Sequence, residues 1–101
     1  VKKVYICSPY ASQGERKQNL ENAKEYCRQA IQKGYIPIAP HVFYTQILND
    51  DIAGERAAGL QLGIELLREC DEIWVFGRVL GGMVAEVQMA NKLGLSVHFI
   101  Q

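Results

Sequence analysis

The sequence predicts a small α/β protein built on a doubly wound parallel sheet, and three observations predict it. Short runs rich in β-branched and aromatic residues alternate with longer segments of helical periodicity. Strands that are separated by helices pair in parallel, through right-handed crossovers. The second of the short runs holds Pro37, which cannot donate to a sheet ladder and so belongs at an edge.

The elements follow in order. Residues 3–7 (Lys-Val-Tyr-Ile-Cys) read as a strand that ends at Ser8-Pro9. Residues 17–33 read as a helix with Leu20, Ala23, Cys27, Ala30 and Ile31 on its inner face, stopping at Gly34. On its outer face Lys17, Glu21, Lys24, Glu25 and Arg28 read as a solvated surface with local ion pairs worth a few tenths of a kcal/mol. Residues 35–39 form a second, edge strand. Residues 40–54 are a long connection with room for one short helical turn, and a connection of that length suits a lid. A helix over 55–70 turns Ala57, Leu60, Ile64 and Leu67 inward. Residues 72–76 (Glu-Ile-Trp-Val-Phe) are apolar almost throughout, as befits a central strand covered on both faces. Gly81-Gly82 opens a helix over 82–93, Gly94 closes it, and 96–100 is the last strand. With the second strand at an edge, the strand order is 2-1-3-4, with helices on both faces: a small flavodoxin-like sheet. Such sheets hold their ligand outside the carboxyl ends of the strands, between strands 1 and 3. That rule selects the loops 8–16, 40–54 and 77–82.

Composition bounds the function. At 101 residues the chain is expected to be one domain, 1–101. Eleven Lys and Arg balance eleven Asp and Glu, which argues against a protein that coats a nucleic-acid polymer and against a polybasic membrane anchor. The zero is a sum of unequal parts: residues 1–34 carry seven basic and three acidic residues (+4), residues 35–101 four basic and eight acidic (−4). No apolar run approaches the ~20 residues that span a bilayer. The first residues read as a strand and not as a signal peptide, so the cytoplasm is the expected location. The three cysteines form neither a CxxC pair nor a zinc spacing, and read as reduced thiols. With two histidines in the chain, no metal and no cofactor are expected.

Two of the selected loops carry candidate chemistry. Loop 8–16 (Ser-Pro-Tyr-Ala-Ser-Gln-Gly-Glu-Arg) offers hydroxyls, a glycine and Arg16 ahead of a helix, a plausible cradle for a hydroxylated or phosphorylated ligand. It matches neither the phosphate-binding GxxxxGK[ST] loop nor the dinucleotide fingerprint GxGxxG, and an ordinary solvent loop is the competing reading. In loop 77–82, paired glycines let backbone approach a ligand closely. Glu86 follows four residues after Gly82, where the positive helix end favours an ionised carboxylate. Such a group can attack an anomeric carbon. Read by itself, it is more often a glutamate that merely complements the helix dipole.

The segments Val4–Tyr10 (VYICSPY), Ile38–His41 (IAPH), Cys70–Gly77 (CDEIWVFG) and Gly82–Glu86 (GMVAE) resemble, in this order and spacing, the nucleoside 2-deoxyribosyltransferase-like superfamily. The resemblance covers nearly the whole chain. It points to a short branch related to the deoxynucleoside monophosphate N-glycosidases. It implies that Glu86 is the catalytic nucleophile, attacking C1′ of a deoxyribose and expelling the base to leave a covalent glycosyl-enzyme. It implies further that Ser8, Arg16, Gly82 and Met83 face the sugar or its 5′-substituent, and that Tyr10 and the segment from His41 to Tyr44 stack on the base. The partner would be a small nucleoside or nucleotide, and a homo-oligomer is implied as well. The chain departs from the family pattern at two places. Leu80 stands where active members carry Asp or Ser, and Gly63 where they carry a catalytic Asp. Asp50, Asp51 or Glu55 could supply a carboxylate from the lid, and Asp71 reads as a structural cap. The open outcomes are a glycosyl-transferring or hydrolysing enzyme, a nucleotide-binding domain without turnover, and a small structural or interaction domain with no small ligand. Gly59 and Gly63, one turn apart, suit close approach of another backbone, in a second copy or in the chain's own sheet.

Overall fold

The computed structural model describes residues 1–10 and 15–100; residues 11–14, in the middle of the first candidate loop, lie outside the described residues, as does 101. The elements run β1 (Lys3–Cys7), α1 (Arg16–Gln32), β2 (Ile36–Ile38), α2 (Pro40–Tyr44), α3 (Ala53–Leu67), β3 (Glu72–Phe76), α4 (Gly82–Leu93) and β4 (Ser96–Ile100). The four strands form one parallel sheet in the order β2-β1-β3-β4, as the sequence predicts. Pro37 sits opposite Val4 on the edge strand β2, where its missing N–H costs no ladder bond on the open side.

Alternation along the strands divides the interior in two. Val4 and Ile6 of β1 and Trp74 and Phe76 of β3 point to the face that α1 covers through Ala30. There Tyr26 of α1 stacks on Phe76 with ring centroids 3.8 Å apart. Tyr5 and Cys7 of β1 and Ile73 and Val75 of β3 point to the other face, against Leu67, Met83 and Ala90 of α3 and α4. All five residues of β3 are buried, as a doubly covered central strand requires. Its one charged residue, Glu72, is 7% exposed and well partnered. It accepts hydrogen bonds from Trp74 Nε1 (2.8 Å) and the Tyr35 hydroxyl (3.2 Å), and Lys2 Nζ lies 3.8 Å away. A buried carboxylate is tolerated when it is paired and bonded in this way.

At the same end of the sheet, Asp71 acts as a cap. Its Oδ2 accepts from Lys3 N (2.8 Å) and its own N donates to Lys3 O (2.9 Å), which ties the start of β1 to the entry of β3. On the outer face of α1, Glu21–Lys24 and Glu25–Arg28 form the local ion pairs, at 3.3 and 3.5 Å.

The inner faces of two helices differ from expectation. Ile31, on the last turn of α1, is 62% exposed. Helix α3 starts two residues early and ends at Leu67, and only its carboxyl half packs on the sheet, through Gly63 and Leu67. Ala57 and Leu60 are exposed and line an open cleft instead. The long connection holds α2, a five-residue helix started by Pro40 at a position where its missing N–H is harmless. All three cysteines are free thiols. Among the described residues, no helix is long and apolar enough to cross a membrane, and no three His, Cys, Asp or Glu side chains gather as metal ligands would.

Candidate active site

A cleft of about 690 Å³ opens at the carboxyl ends of β1 and β3, the switch point of the strand order. Strand β1 and helices α3 and α4 build its floor, and α2 with the following turn forms a side wall.

Glu86 lies on that floor. The turn from β3 into α4 places it there. Gly81 adopts φ +58°, ψ −133°, a conformation that residues with a Cβ rarely take, and Gly82 starts the helix. The Glu86 side chain then meets the inward residues of β1. The Tyr5 hydroxyl donates to Oε2, and the Cys7 thiol donates to Oε1 at 3.4 Å. Each carboxyl oxygen is therefore held by a different side chain of the same strand. Burial pushes the Glu86 carboxyl above its ordinary range, and the two hydrogen bonds pull it down without cancelling that effect. The direction is opposite to the one the helix end alone would give: Glu86 is a full turn inside α4, where the dipole's influence has fallen off, and burial is the largest influence on it. Burial and the neighbouring carboxyl likewise raise Tyr5 and Cys7, so both stay protonated donors.

Gly63 of α3 makes the Tyr5 contact possible. A Cβ built on Gly63 would come within 2.9 Å of the Tyr5 hydroxyl and 3.8 Å of Glu86 Oε2. A Cβ on Gly59 would lie 3.6 Å from Leu48 Cδ1, an ordinary contact, so close approach within the chain needs a glycine at Gly63 and not at Gly59.

The remaining candidates ring the cleft. Ser8, just past β1, is 6% exposed, and its hydroxyl lies 3.0 Å from Nε2 of His41 on α2. Burial lowers the His41 pKa to about 4, so the imidazole is neutral at pH 7. Tyr10 is anchored by Asn19, whose Nδ2 donates to the Tyr10 carbonyl at 2.7 Å. Arg16 lies over the Tyr10 ring, 5.7 Å from its centroid, and its guanidinium donates to Asp51 Oδ1 at 2.7 Å. Gly82 and Met83 line the cleft beside Glu86, as do Leu80 and Tyr44. Phe43 packs edge-on against Tyr44 and is 60% exposed. Of the lid carboxylates, Asp51 is taken by Arg16, and Glu55 accepts from the Asn49 N–H at 3.0 Å. The structure thus brings Ser8, Tyr10, Arg16, His41, Gly82, Met83 and Glu86 to one cleft, with Asp51 attached through Arg16. Sequence reasoning missed Tyr5 and Cys7. Their place on the inner face of β1 was the available signal, but the same pattern marks any core residue.

Chemically, this is a cleft with a fixed carboxyl on its floor, a neutral histidine–serine pair on one wall and an aromatic ring under a cation at its rim. Residues 2–100 match the model of the family described as Domain of unknown function (DUF7768), and the chain belongs to that family. No curated protein matches it in sequence. Among solved structures it is similar to the 2-deoxyribosyltransferase of Bacillus psychrosaccharolyticus, with 17% identity and a TM-score of 0.68 over 96% of this chain and 70% of that one. It is also similar to the 2-deoxyribosyltransferase of Leishmania mexicana, with 17% identity and a TM-score of 0.62 over 99% of this chain and 64% of that one. The chain spans just under two thirds of the Leishmania protein, and it shares the fold of both.

Proposed function

We propose that the cleft binds a nucleoside or nucleotide and that Glu86 cleaves its N-glycosidic bond, as an N-glycosidase or a deoxyribosyltransferase. One observation carries this reading: a carboxyl group stands at the switch point with both oxygens held by protonated donors. The shared fold with two 2-deoxyribosyltransferases supports it. The reaction needs Glu86 as the carboxylate. One oxygen attacks C1′, the C1′–N bond breaks with its electron pair passing to the base, and the base takes up a proton from solvent water. A covalent glycosyl-enzyme results. Attack at C1′ by water or by a second base then frees the carboxylate. Tyr5 and Cys7 hold the nucleophile in one orientation, which is where fixed geometry lowers a barrier. Ser8 and His41 face the ligand from the wall, Tyr10 offers a ring for the base, and Gly82 and Met83 bring backbone close to the sugar. On this reading residues 1–101 act as one domain, in the cytoplasm and as a homo-oligomer, without metal or cofactor.

The test is release of free base from a panel of deoxynucleosides and their 5′-monophosphates, followed by chromatography. Base release that is lost in Glu86→Ala and kept in Leu80→Ala is the expected result; no release from any member of the panel overturns the reading. Gly63 and Leu80 favour a second reading, binding without turnover, because neither brings a proton-transferring group to the cleft. Under that reading a nucleotide raises the melting temperature of wild type and of Glu86→Gln alike, with no base released.

A further inference from the structure

At the rim of the cleft the chain neutralises its own cation. Arg16 is one of two arginines that line the cleft among the described residues, and Asp51 pairs with it at 2.7 Å. A local turn presents Asp51: its N–H donates to Asn49 Oδ1 (2.9 Å), Ile52 N donates to Asn49 O (3.1 Å), and Asn49 N donates to Glu55 (3.0 Å). Arg56, the other guanidinium lining the cleft, also lies within electrostatic reach of Asp51. With Asp51 attached through Arg16, and Asp50 and Glu55 also lining the cleft, acidic side chains outnumber the two arginines there among the described residues, even without the buried Glu86.

We propose that Asp51 is a specificity-determining residue: by holding Arg16 across the mouth of the cleft it denies a 5′-phosphate its counter-cation, so the cleft selects the unphosphorylated deoxynucleoside. This rests on the functional reading above and narrows its substrate class. A phosphate that bonds Arg16 either displaces the Asp51 carboxylate or binds the guanidinium beside it, and in both cases it meets that carboxylate as a like charge. A deoxynucleoside with a free 5′-hydroxyl meets no such repulsion and can donate to the same carboxylate. One unit charge a few ångströms from a phosphate at a solvent-exposed rim changes affinity about tenfold.

The experiment measures binding of deoxynucleosides and their 5′-monophosphates by calorimetry in low salt, on wild type, Asp51→Asn and the double variant Arg16→Gln/Asp51→Asn. Wild type is expected to bind the deoxynucleoside more tightly than its monophosphate. Asp51→Asn shifts that ratio about tenfold towards the monophosphate. The shift disappears in the double variant, and it shrinks in ~0.5 M salt, where the Debye length falls below ~5 Å. Because the pair is exposed on both sides (41% and 69%), its loss leaves the melting temperature nearly unchanged, which shows that the variants are folded. Should Asp51→Asn fold poorly, Asp51→Ser carries the same comparison. A wild type that prefers the monophosphate overturns the proposal, as does a ratio that Asp51→Asn leaves unchanged. If those results come with clear nucleoside binding, Asp51 alone is misassigned; if neither ligand class binds any variant, the functional reading falls and the proposal with it.

Discussion

Under the proposed function, two demands on Glu86 pull in opposite directions. Burial favours its neutral form in the folded chain, whereas glycosyl transfer needs its anion. The sign for stability follows. A carboxyl whose folded pKa is raised contributes stability that is fully present below its unfolded pKa and is lost as pH rises through the folded value. Glu86→Gln removes that loss. The variant is expected to be more stable than wild type at pH 8, with the difference shrinking as pH falls toward 4; denaturant titrations at several pH values check this. Over the same pH interval the base-releasing activity of wild type should rise with pH, as the nucleophile ionises. The residues around Glu86 were unevenly legible. Glu86 itself stood out through its place after Gly82. Tyr5 and Cys7 did not, because their partner lies about eighty positions along the chain and alternation says only that a side chain points inward.

Among the elements, α3 is divided. Its amino half lines the cleft and its carboxyl half packs on the sheet, which is why a helical pattern alone placed Ala57 and Leu60 inside. Two glycines separate the halves experimentally. Around Gly54, in the first turn, a Cβ meets nothing within 4 Å, so Gly54→Ala should stabilise the protein by up to ~1 kcal/mol. The same change at Gly63 presses on the Tyr5 hydroxyl. There the helix-propensity gain is offset by crowding that costs ~1–3 kcal/mol in a packed interior. The expected outcome is no stabilisation, and displacement of Tyr5 from Glu86. Melting curves give the first result. The second appears as a pH–activity profile moved to higher pH, since Glu86 loses a bond that favours its anion.

At the scale of the molecule, strand order organises both the stability and the site. β1 and β3 are paired on both sides, while β2 and β4 each have one open edge. Hydrogen exchange should therefore be slowest for the β1 and β3 amides and faster in β2 and β4. Equal protection across all four strands would contradict that view. The order itself was readable from Pro37 and from the nearly unbroken apolar run at 72–76, since both report directly on a strand's neighbours. What the sequence could not convey is how the rim is wired. Arg16 and Asp51 are 35 positions apart and exposed, and no periodicity constrains which exposed cation meets which exposed anion. The charge division between residues 1–34 and 35–101 is nevertheless realised at this contact: a cation of the first part is met by an anion of the second.

The grip on Glu86 also gives the protein an internal reporter. Cys7 is fully buried and donates to the carboxyl, whereas Cys27 on α1 is only partly buried. An alkylating reagent will therefore consume Cys27 first and reach Cys7 only when the floor of the cleft opens. The labelling rate of Cys7, read by mass spectrometry, then counts those openings. A ligand that seats on Glu86 and closes the floor would slow the count without any product having to form.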